Sequence, residues 1–538
     1  MDLGTLISGT INDTLAVSLP LFRTELALAA TVVLVLLCRM LPVLRWLDSG
    51  LVALGGACFA AWFGWVDLQA VKQAGEFRQE LFGGLVVFDS LTAYLRLLLA
   101  AFVVAYILFT KVSGIPDRED GADFYVLVLG ATLGMCLMAS ANHLLMVFMA
   151  VEMASVPSYA LAGFLKGRKA SSEAALKYAV YGAGAAGIML YGISLLAGVL
   201  GTCHLPSMAA ELGRIVGEGK ASGEIMVLSL GGLMLAVGLA FKLSAVPFHF
   251  WCPDVFEGAA AEVGAFLSVA SKAAAVALAM RLVFGLGTLP TGEAVNTVAD
   301  GLGDVRHFMA YLVGIMAAAT CTLGNLAAYG QTNMKRLLAY STVAHAGYLM
   351  MGAAAATALA GVAPAQAQAA VAALAFYLGT YLFMNLAAFA IVAVLRNRLR
   401  SEEIAAYAGL VHTNPGMVVA MAVVLVSLIG LPPLAGFVAK FLIFASLVSA
   451  LRAGVEQPLM LTLLIVGGIN TVVSLFYYLR VLKVMTFDPL PEGHAVEPAG
   501  PLSLSGGLVT ALAVPVVILG ILWGGLYGYA QLAGSFAS

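Results

Sequence analysis

Five ionisable residues lie within apolar stretches of this sequence, at depths where a charged group is costly. One is a carboxylate and four are amines: Glu152, Lys177, Lys242, Lys272 and Lys440. A charge at the centre of a membrane helix costs about 2.5–3.5 kcal/mol on insertion scales, and such residues usually mark ion or proton pathways. A row of them at mid-depth can pass protons along and across a membrane. We therefore interpret these five residues as a proton relay.

Glu152 and Lys177 allow more than one interpretation. Glu152 lies about nine residues, or ~14 Å, into its predicted helix, which is close to mid-membrane. Lys177 follows Glu173 by one helical turn, and pairs with this spacing are often merely solvated on a helix surface. Alternatively, Lys177 faces Glu152 and sets the proton affinity of that carboxylate. An ion pair that only holds helices together is a further alternative, and the sequence leaves all of them open.

The other three lysines are several turns from the nearest predicted span end, so extension of their side chains to water is the less favoured alternative. Lys242 immediately precedes a predicted helix break, where a buried lysine can exchange a proton reversibly. The break also supplies unpaired carbonyls and room for water. Lys272 lies among small residues that allow close helix packing, and Lys440 mirrors Lys242 in the second half of the chain. These features favour a proton-transfer role for all three.

Two histidines at membrane depth, His249 and His345, are possible further members of the relay. A single membrane histidine is as often a hydrogen-bonded packing residue as a proton carrier, so both roles stay open. The sequence has no nucleotide-binding glycine fingerprint placed after a strand, and no nucleophile–base pair. Any chemistry that drives the relay therefore has to come from partner proteins.

Most of the chain is too apolar to face water. Of its 538 residues, 62% are hydrophobic and 10% are charged, against roughly 45–50% and 25% in soluble domains. The 27 basic and 29 acidic side chains give a net charge of −2, which indicates no basic face for nucleic acid. The six cysteines lie far apart, without CxxC pairs or Cys/His metal spacing, which argues against iron–sulfur and zinc sites. We expect no metal or cofactor in this chain.

The elements that position these residues are predicted to be membrane-spanning helices. Crossing the hydrocarbon core takes about 20 mostly apolar residues, and on that measure the sequence has about fourteen candidate spans. They cover residues 20–43, 50–68, 88–110, 122–140, 143–165, 173–200, 225–250, 259–286, 307–328, 336–358, 368–396, 416–450, 458–485 and 504–531. The N-terminal segment does not resemble a cleavable signal peptide. We predict an all-α polytopic membrane protein with a single membrane domain, residues 1–538.

The distribution of Lys and Arg predicts the orientation, because cytoplasmic loops are enriched in both. If the N-terminus is outside, 14 basic residues fall on the inner side and 6 on the outer side. The inner residues are Arg39, Arg45, Lys111, Arg118, Lys166, Arg168, Lys169, Lys335, Arg336, Arg396, Arg398, Arg400, Arg480 and Lys483. The outer residues are Lys72, Arg78, Arg214, Lys220, Arg306 and Arg452. Both termini are therefore expected on the non-cytoplasmic side of the membrane.

Two predicted spans contain proline far from their ends and should be discontinuous helices, because proline removes a backbone hydrogen bond. Span 7 contains Pro247, and span 12 contains Pro432 and Pro433. Prolines that interrupt corresponding spans of two halves indicate inverted repeats around a central ion site. We therefore predict two inverted five-helix repeats with discontinuous helices 7 and 12. The predicted segments are helices 1–3 in residues 1–120, helices 4–8 in 121–286, helices 9–13 in 305–485 and helix 14 in 502–532.

Six stretches of the sequence resemble the antiporter-like subunits of respiratory complex I. They are VEMASVPSYALAGF, SSEAALKYAVYGAGAAGIMLYGISLLAG, GLAFKLSAVPFHFWCPDVFEGA, SVASKAAAVALAMRL, MKRLLAYSTVAHAGYLMMG and LIGLPPLAGFVAKFLIF. The similarity spans roughly residues 120–485. Within that family the chain most resembles subunit N, also called subunit 2, of bacterial NADH–quinone oxidoreductase. The related subunit M typically has a glutamate at the position of Lys440, and subunit L carries a long lateral helix after its last spans.

The resemblance implies a fourteen-helix fold with a proton path through the matching residues. Glu152 and Lys177 would lie near its input, Lys242 at its centre, Lys272 further along and Lys440 toward the exit. It also implies that FMN, iron–sulfur clusters and quinone are held by partner subunits, and that this chain has no redox centre of its own. The expected partners are subunit M, the small membrane subunits and, indirectly, the peripheral arm, in a bacterial inner membrane.

Two other interpretations compete with this one. A subunit of an Mrp-type multisubunit cation/proton antiporter would share the glutamate–lysine core. A structural subunit would use its charges only to hold helices together, and single Lys→Ala changes would then disturb assembly without selectively removing pumping. The loops at residues 69–87 and 201–224 match no motif, and the resemblance does not identify the quinone or the electron donor.

Overall fold

The computed structural model describes residues 9–44, 46–75, 77–117, 119–219, 222–288, 296–490 and 503–537. The helices of the first half are α1 (Gly9–Ser18), α2 (Arg23–Met40), α3 (Ser49–Ala74), α4 (Ser90–Ser113), α5 (Gly121–Ser140), α6 (Leu144–Ala162), α7 (Lys169–Leu200), α8 (Leu205–Gly217), α9 (Ser222–Leu243), α10 (Trp251–Gly258) and α11 (Ala261–Gly287). Those of the second half are α12 (Asn296–Ala328), α13 (Met334–Leu359), α14 (Pro364–Leu399), α15 (Leu410–Thr413), α16 (Pro415–Ile429), α17 (Ala435–Arg452), α18 (Gln457–Phe487), α19 (Leu504–Ile521) and α20 (Gly524–Gly534). Some of the predictions concern residues that the structure does not describe. These are residues 1–8, the predicted start of helix 14 at residue 502, and three basic residues counted for the orientation, Arg45, Arg118 and Lys220.

Each of the fourteen predicted spans coincides with a helix or with a helix interrupted at one point. Within the described ranges, 12 helices are by themselves long and apolar enough to cross a membrane, or up to 13 if the bent pair α1–α2 counts as one span. The axes of that pair differ by 87°. The prediction of an all-α polytopic membrane protein is confirmed, whereas the number fourteen stays a prediction.

The centre of the bundle is formed by α11 and α14, which pack against each other. Both helices are buried along nearly their whole length. A helix that is apolar on all sides belongs inside a bundle rather than at a lipid-facing surface. Lys272 lies near the middle of α11 and is 1% exposed, so the structure places this amine at the core of the protein.

The first predicted helix break lies between α9 and α10 and contains Pro247. Side chains of neighbouring segments form hydrogen bonds with backbone groups near the break. The amide of Val246 donates to Thr320 Oγ1 at 2.9 Å, and Trp251 Nε1 donates to the carbonyl of Phe241 at 3.1 Å. Irregular backbone at membrane depth is tolerated where protein satisfies its polar groups in this way.

The second predicted break lies between α16 and α17 and contains Pro432 and Pro433. Two glycines of this segment permit the close crossing of the two half-helices. Gly430 has a φ of +92°, which favours glycine. Gly436 donates its amide to Ser427 Oγ at 2.9 Å, and a Cβ on Gly436 would overlap the carbonyl of Ser427. The break therefore depends on residues without side chains on both sides of the prolines.

The two loops without a recognised motif fold together at one end of the bundle. Residues 69–87 contribute to an antiparallel hairpin of β1 (Arg78–Leu81) and β2 (Val86–Asp89), and residues 201–224 include α8. Glu80 of the hairpin accepts a hydrogen bond from Asn142 Nδ2 at 3.0 Å, and its Oε1 lies 3.0 Å from His204 Nε2. We call this end of the bundle the hairpin face.

Candidate functional site

Lys242 is buried against the helix that carries Glu152. Its amine donates to Ser155 Oγ at 3.0 Å, and 1% of the residue is exposed. Ser155 follows Glu152 by three positions on α6, so the two share a helix face, and the charges of Glu152 and Lys242 interact. Glu152 itself is half-buried. The structure therefore places this amine against the face of α6 that carries the carboxylate.

Lys272 occupies the first helix break from the neighbouring helix α11. Its Nζ donates to the carbonyl of Leu243 at 2.6 Å and lies 3.0 Å from Ser244 Oγ. Leu243 is the last residue of α9, so its carbonyl has no helical partner of its own. Because Lys242 directly precedes Leu243, the two lysines flank the same stretch of backbone, and their charges interact.

Lys440 occupies the second helix break in a similar manner. Its Nζ donates to the carbonyl of Ile429, the last residue of α16, at 2.9 Å. The amine also lies 4.3 Å from the centre of the Tyr348 ring, a distance at which a cation and an aromatic face attract each other. Lys440 and Lys272 therefore have similar contacts, because each donates to a backbone carbonyl at a helix break. Lys242 differs from both, since its amine donates to a serine hydroxyl.

His345 is buried on α13 and connects several hydroxyl groups. Its Nδ1 lies 2.5 Å from Tyr377 OH, and its Nε2 lies 3.5 Å from Tyr478 OH. Tyr478 OH contacts Ser341 Oγ in turn. His345 and Tyr348 follow each other by one turn on α13, and the rings lie 6.0 Å apart. His345 therefore lies between Tyr348, whose ring contacts Lys440, and the hydroxyl groups of Tyr377 on α14 and Tyr478 on α18.

The sequence did not identify the tyrosines that surround His345, because a tyrosine in an apolar run has the same pattern as a core aromatic residue. The structure nonetheless places these mostly buried polar side chains in two groups. Glu152, Lys242 and Lys272 lie around the first helix break, and His345 and Lys440 both lie near Tyr348. We call these five residues the buried polar row. The helices that carry Lys272 and His345, α11 and α13, pack directly against each other.

Lys177 lies at the end of the bundle opposite the hairpin face, which we call the basic face because it carries Lys166, Arg336 and Arg396. The Lys177 amine lies 2.7 Å from Asp254 Oδ2 and 2.9 Å from Glu173 Oε1. The pair with Glu173 is one of the alternatives that the sequence left open. Asp254, on the short helix α10, also accepts a hydrogen bond from Arg336 at 2.9 Å and was not identified from the sequence.

The contacts of Asp254 predict the effect of Asp254→Asn. We expect normal assembly, because ion pairs with this much exposure contribute about 0–1 kcal/mol each. We also expect a measurable decrease in proton pumping, since Lys177 loses one of its two carboxylates. Glu257→Gln is the matched control, because Glu257 lies on the same helix and contacts Arg336. Equal pumping by both variants, measured with quinone reduction in the same vesicles, would show that the contact between Lys177 and Asp254 is not needed for pumping.

His249 lies in the first helix break, between α9 and α10. The ring is half-buried, and its centre lies 4.4 Å from the centre of the Phe250 ring, with the two ring planes tilted by 34°. Its Nδ1 has no hydrogen-bond partner within the described part of the chain. A role for His249 in the relay stays a prediction.

The described residues contain no group of three or more His, Cys, Asp or Glu side chains that could hold a metal ion. The buried polar row instead consists of amines, one imidazole and one carboxylate, with hydroxyls beside them. These groups can bind and release protons and can orient water. The arrangement is therefore suited to proton transfer.

Comparison with known proteins places the chain in a family. Residues 141–467 match the family model described as NADH:quinone oxidoreductase/Mrp antiporter, TM, which covers more than half of the chain. The chain belongs to this family. The NADH:quinone oxidoreductase/Mrp antiporter segment includes Glu152, Lys242, Lys272, His345 and Lys440, and it ends within α18.

Relatives and solved structures extend the match to nearly the whole length. The chain is 39% identical over 521 residues to NADH-quinone oxidoreductase subunit N 2 of Sorangium cellulosum (strain So ce56), covering 95% of this chain and 96% of that protein. A chain of respiratory complex I from Thermus thermophilus with bound aureothin is 31% identical, with a TM-score of 0.70, and covers 94% of this chain and 98% of that chain. A chain of the Mrp complex from Dietzia sp. DQ12-45-1b has a TM-score of 0.72 over 98% of this chain and 97% of that chain, at 20% identity. At that identity the likeness concerns the fold alone.

Proposed function

We propose that this chain is subunit N (subunit 2) of a bacterial NADH–quinone oxidoreductase, complex I, and that it translocates protons. The observation that carries the proposal is the 39% identity to a protein named as that subunit, over nearly the full length of both chains. The buried row of proton-exchanging side chains supports it independently. The likeness to the Mrp complex does not separate the two families, whereas the curated relative favours complex I over the Mrp-type antiporter.

The redox chemistry belongs to other subunits in this proposal. FMN, the iron–sulfur clusters and quinone are bound by partners, and this chain converts the energy released there into proton movement. The partners are the antiporter-like subunit M, the small membrane subunits and, indirectly, the peripheral arm. The protein resides in a bacterial inner membrane, with both termini on the non-cytoplasmic side and the basic face toward the cytoplasm.

The proton-transfer step rests on the pairing of Lys242 with Glu152. A carboxylate close to a lysine favours the charged amine, and loss of that partner in a dry site favours release of the proton. We infer that Lys242 alternates between the charged and neutral forms as its pairing with Glu152 tightens and loosens. Lys272, His345 and Lys440 would carry the proton onward along the buried row.

Matching backbone contacts support two inverted repeats. His143, just before α6, forms an antiparallel bridge with His204, four residues after α7. Asn333, just before α13, forms the same kind of bridge with Glu403, four residues after α14. The first bridge lies at the hairpin face and the second at the basic face. Equivalent contacts at opposite ends of the bundle are what an inverted repeat predicts.

Substitution of Lys272 by arginine tests the proposed path. Arginine keeps a donor for the Leu243 carbonyl but does not release its proton. We expect the Lys272→Arg complex to assemble and to pump markedly fewer protons per NADH oxidised in inverted membrane vesicles. Lys335→Arg is the control, since Lys335 is also buried and bonds a carbonyl, that of Ala259, at 2.7 Å. An unchanged ratio for Lys272→Arg would remove Lys272 from the path and favour a structural role.

A further inference from the structure

A polar cavity of about 240 Å³ opens on the basic face. It lies between the segment that precedes α7 and the end of α14. Because water occupies about 30 Å³ per molecule in the liquid, the cavity can hold a phosphate-sized group together with several waters. Its lining includes three arginines, Arg168, Arg396 and Arg400, and one acidic residue, Glu402.

The charges of the cavity are only partly compensated. Arg396 binds both oxygens of Glu262, each at 3.1 Å, and Glu402 pairs with Lys335 at 2.8 Å. The guanidinium groups of Arg168 and Arg400 have no hydrogen-bond or ion-pair partner among the residues that the structure describes, although the backbone of both residues is hydrogen-bonded. Two guanidinium groups at the cavity are therefore free to bind an anion.

The stability of α14 does not account for this arrangement. Arginines near the end of a helix offset the negative end of its dipole, which explains Arg396 in the last turn of α14. Arg168 comes from a different segment, as the N-cap residue of α7. Helix N-termini also favour anions, so the cavity combines two uncommitted arginines with the positive end of α7.

We propose that this cavity binds the phosphate of an anionic phospholipid headgroup. Guanidinium groups bind phosphate oxygens in pairs, and basic pockets between membrane helices bind anionic headgroups. The cavity lies where the membrane-spanning helices α7 and α14 end at the basic face, and Ile115 gives its lining an apolar edge. A headgroup bound there joins α7 of the first half to α14 of the second half. Free phosphate has the same chemistry and is the competing source.

The test uses the complete complex in cells labelled with radioactive phosphate, with a photoreactive amino acid in place of Ser401 at the cavity. After irradiation, the subunit is separated under denaturing conditions and its attached phospholipid is counted. Two variants are compared in this background. The first combines Arg168→Gln with Arg400→Gln, and the control is Arg452→Gln, because Arg452 is exposed and lies far from the cavity in the sequence. We expect the double variant to lose attached lipid about tenfold or more, because each lost charge-assisted contact is strong, and the control to lose none.

Three outcomes would overturn the proposal. Equal labelling of the double variant would mean that the crosslinker reaches ordinary surrounding lipid. Loss of labelling when excess inorganic phosphate is added before irradiation would assign the cavity to free phosphate. If the glutamine variant does not assemble, the double variant Arg168→Lys with Arg400→Lys replaces it. This variant must retain attached lipid, and added phosphate must not remove that lipid. Failure of either result would contradict binding of a phospholipid headgroup. None of these readouts depends on proton pumping, so the proposed function is tested separately.

Discussion

Replacing Lys242 by alanine is expected to remove most proton pumping while the complex still assembles. The substitution deletes the buried amine that donates to Ser155 and interacts with Glu152. Loss of a proton-transfer group typically lowers a rate by about 10²–10⁴-fold, so the effect should greatly exceed that of changes at the basic face. Assembly should survive, because alanine leaves no unpaired charge at position 242 and Glu152 is half-buried.

Proton uptake and quinone reduction should be followed in the same inverted vesicles, with the amount of assembled complex determined on those samples. Lys483→Ala provides a control, because Lys483 is an exposed lysine near the end of α18. We expect Lys483→Ala to pump normally. Pumping and electron flow at the wild-type ratio in Lys242→Ala would show that the buried lysine is structural.

Replacing Arg281 by methionine is expected to prevent stable assembly. Arg281 and Asp89 form a buried ion pair, 4% and 2% exposed, and Arg281 also donates to Thr92 Oγ1 at 2.7 Å and to the carbonyl of Ala139 at 2.8 Å. Burial by itself raises the pKa of Asp89, but the charge and hydrogen bonds of Arg281 hold that pKa below its usual value. Removing one partner of a buried pair costs about 3–5 kcal/mol, since the other charge is left unpaired.

A double variant separates loss of the pair from loss of packing. Asp89→Asn combined with Arg281→Met removes both charges, and asparagine can still cap α4 through the amide of Thr92, which Asp89 binds at 3.0 Å. We expect this variant to recover much of the subunit in assembled complex, measured by quantitative immunoblotting of purified complex. Recovery equal to that of Arg281→Met alone would contradict the electrostatic explanation.

The elements of the fold could be predicted because membrane spans have a strong compositional signal. Glu152 is the ninth residue of α6, close to the predicted depth, and Lys242 is the penultimate residue of α9. Prolines lie at both helix breaks, because a proline within a helix removes a backbone hydrogen bond and can interrupt the helix. Proline alone does not decide this, since Pro157 and Pro515 lie inside the continuous helices α6 and α19. The short hairpin was not predicted, although its Gly83–Gly84 turn between apolar residues is a hairpin signal.

The contacts of the site could be predicted only in part. The sequence suggested that Lys177 either pairs with Glu173 or faces Glu152, but Asp254 lies 77 positions away, and no periodicity connects the two. The tyrosines around His345 were missed for a similar reason, because their hydrogen bonds join α13, α14 and α18. Contacts between distant helices depend on how the helices pack, and that information is not local.

Glu152 and Lys242 are proposed to act as one proton-transfer pair. The most direct measurement is the proton-to-quinone ratio in vesicles carrying Glu152→Gln, Lys242→Ala or both, corrected for assembled complex. Residues that act as a unit have non-additive effects, so the double variant should pump no worse than the poorer single variant. If the two losses multiply in the double variant, the residues act independently and the pair mechanism is wrong.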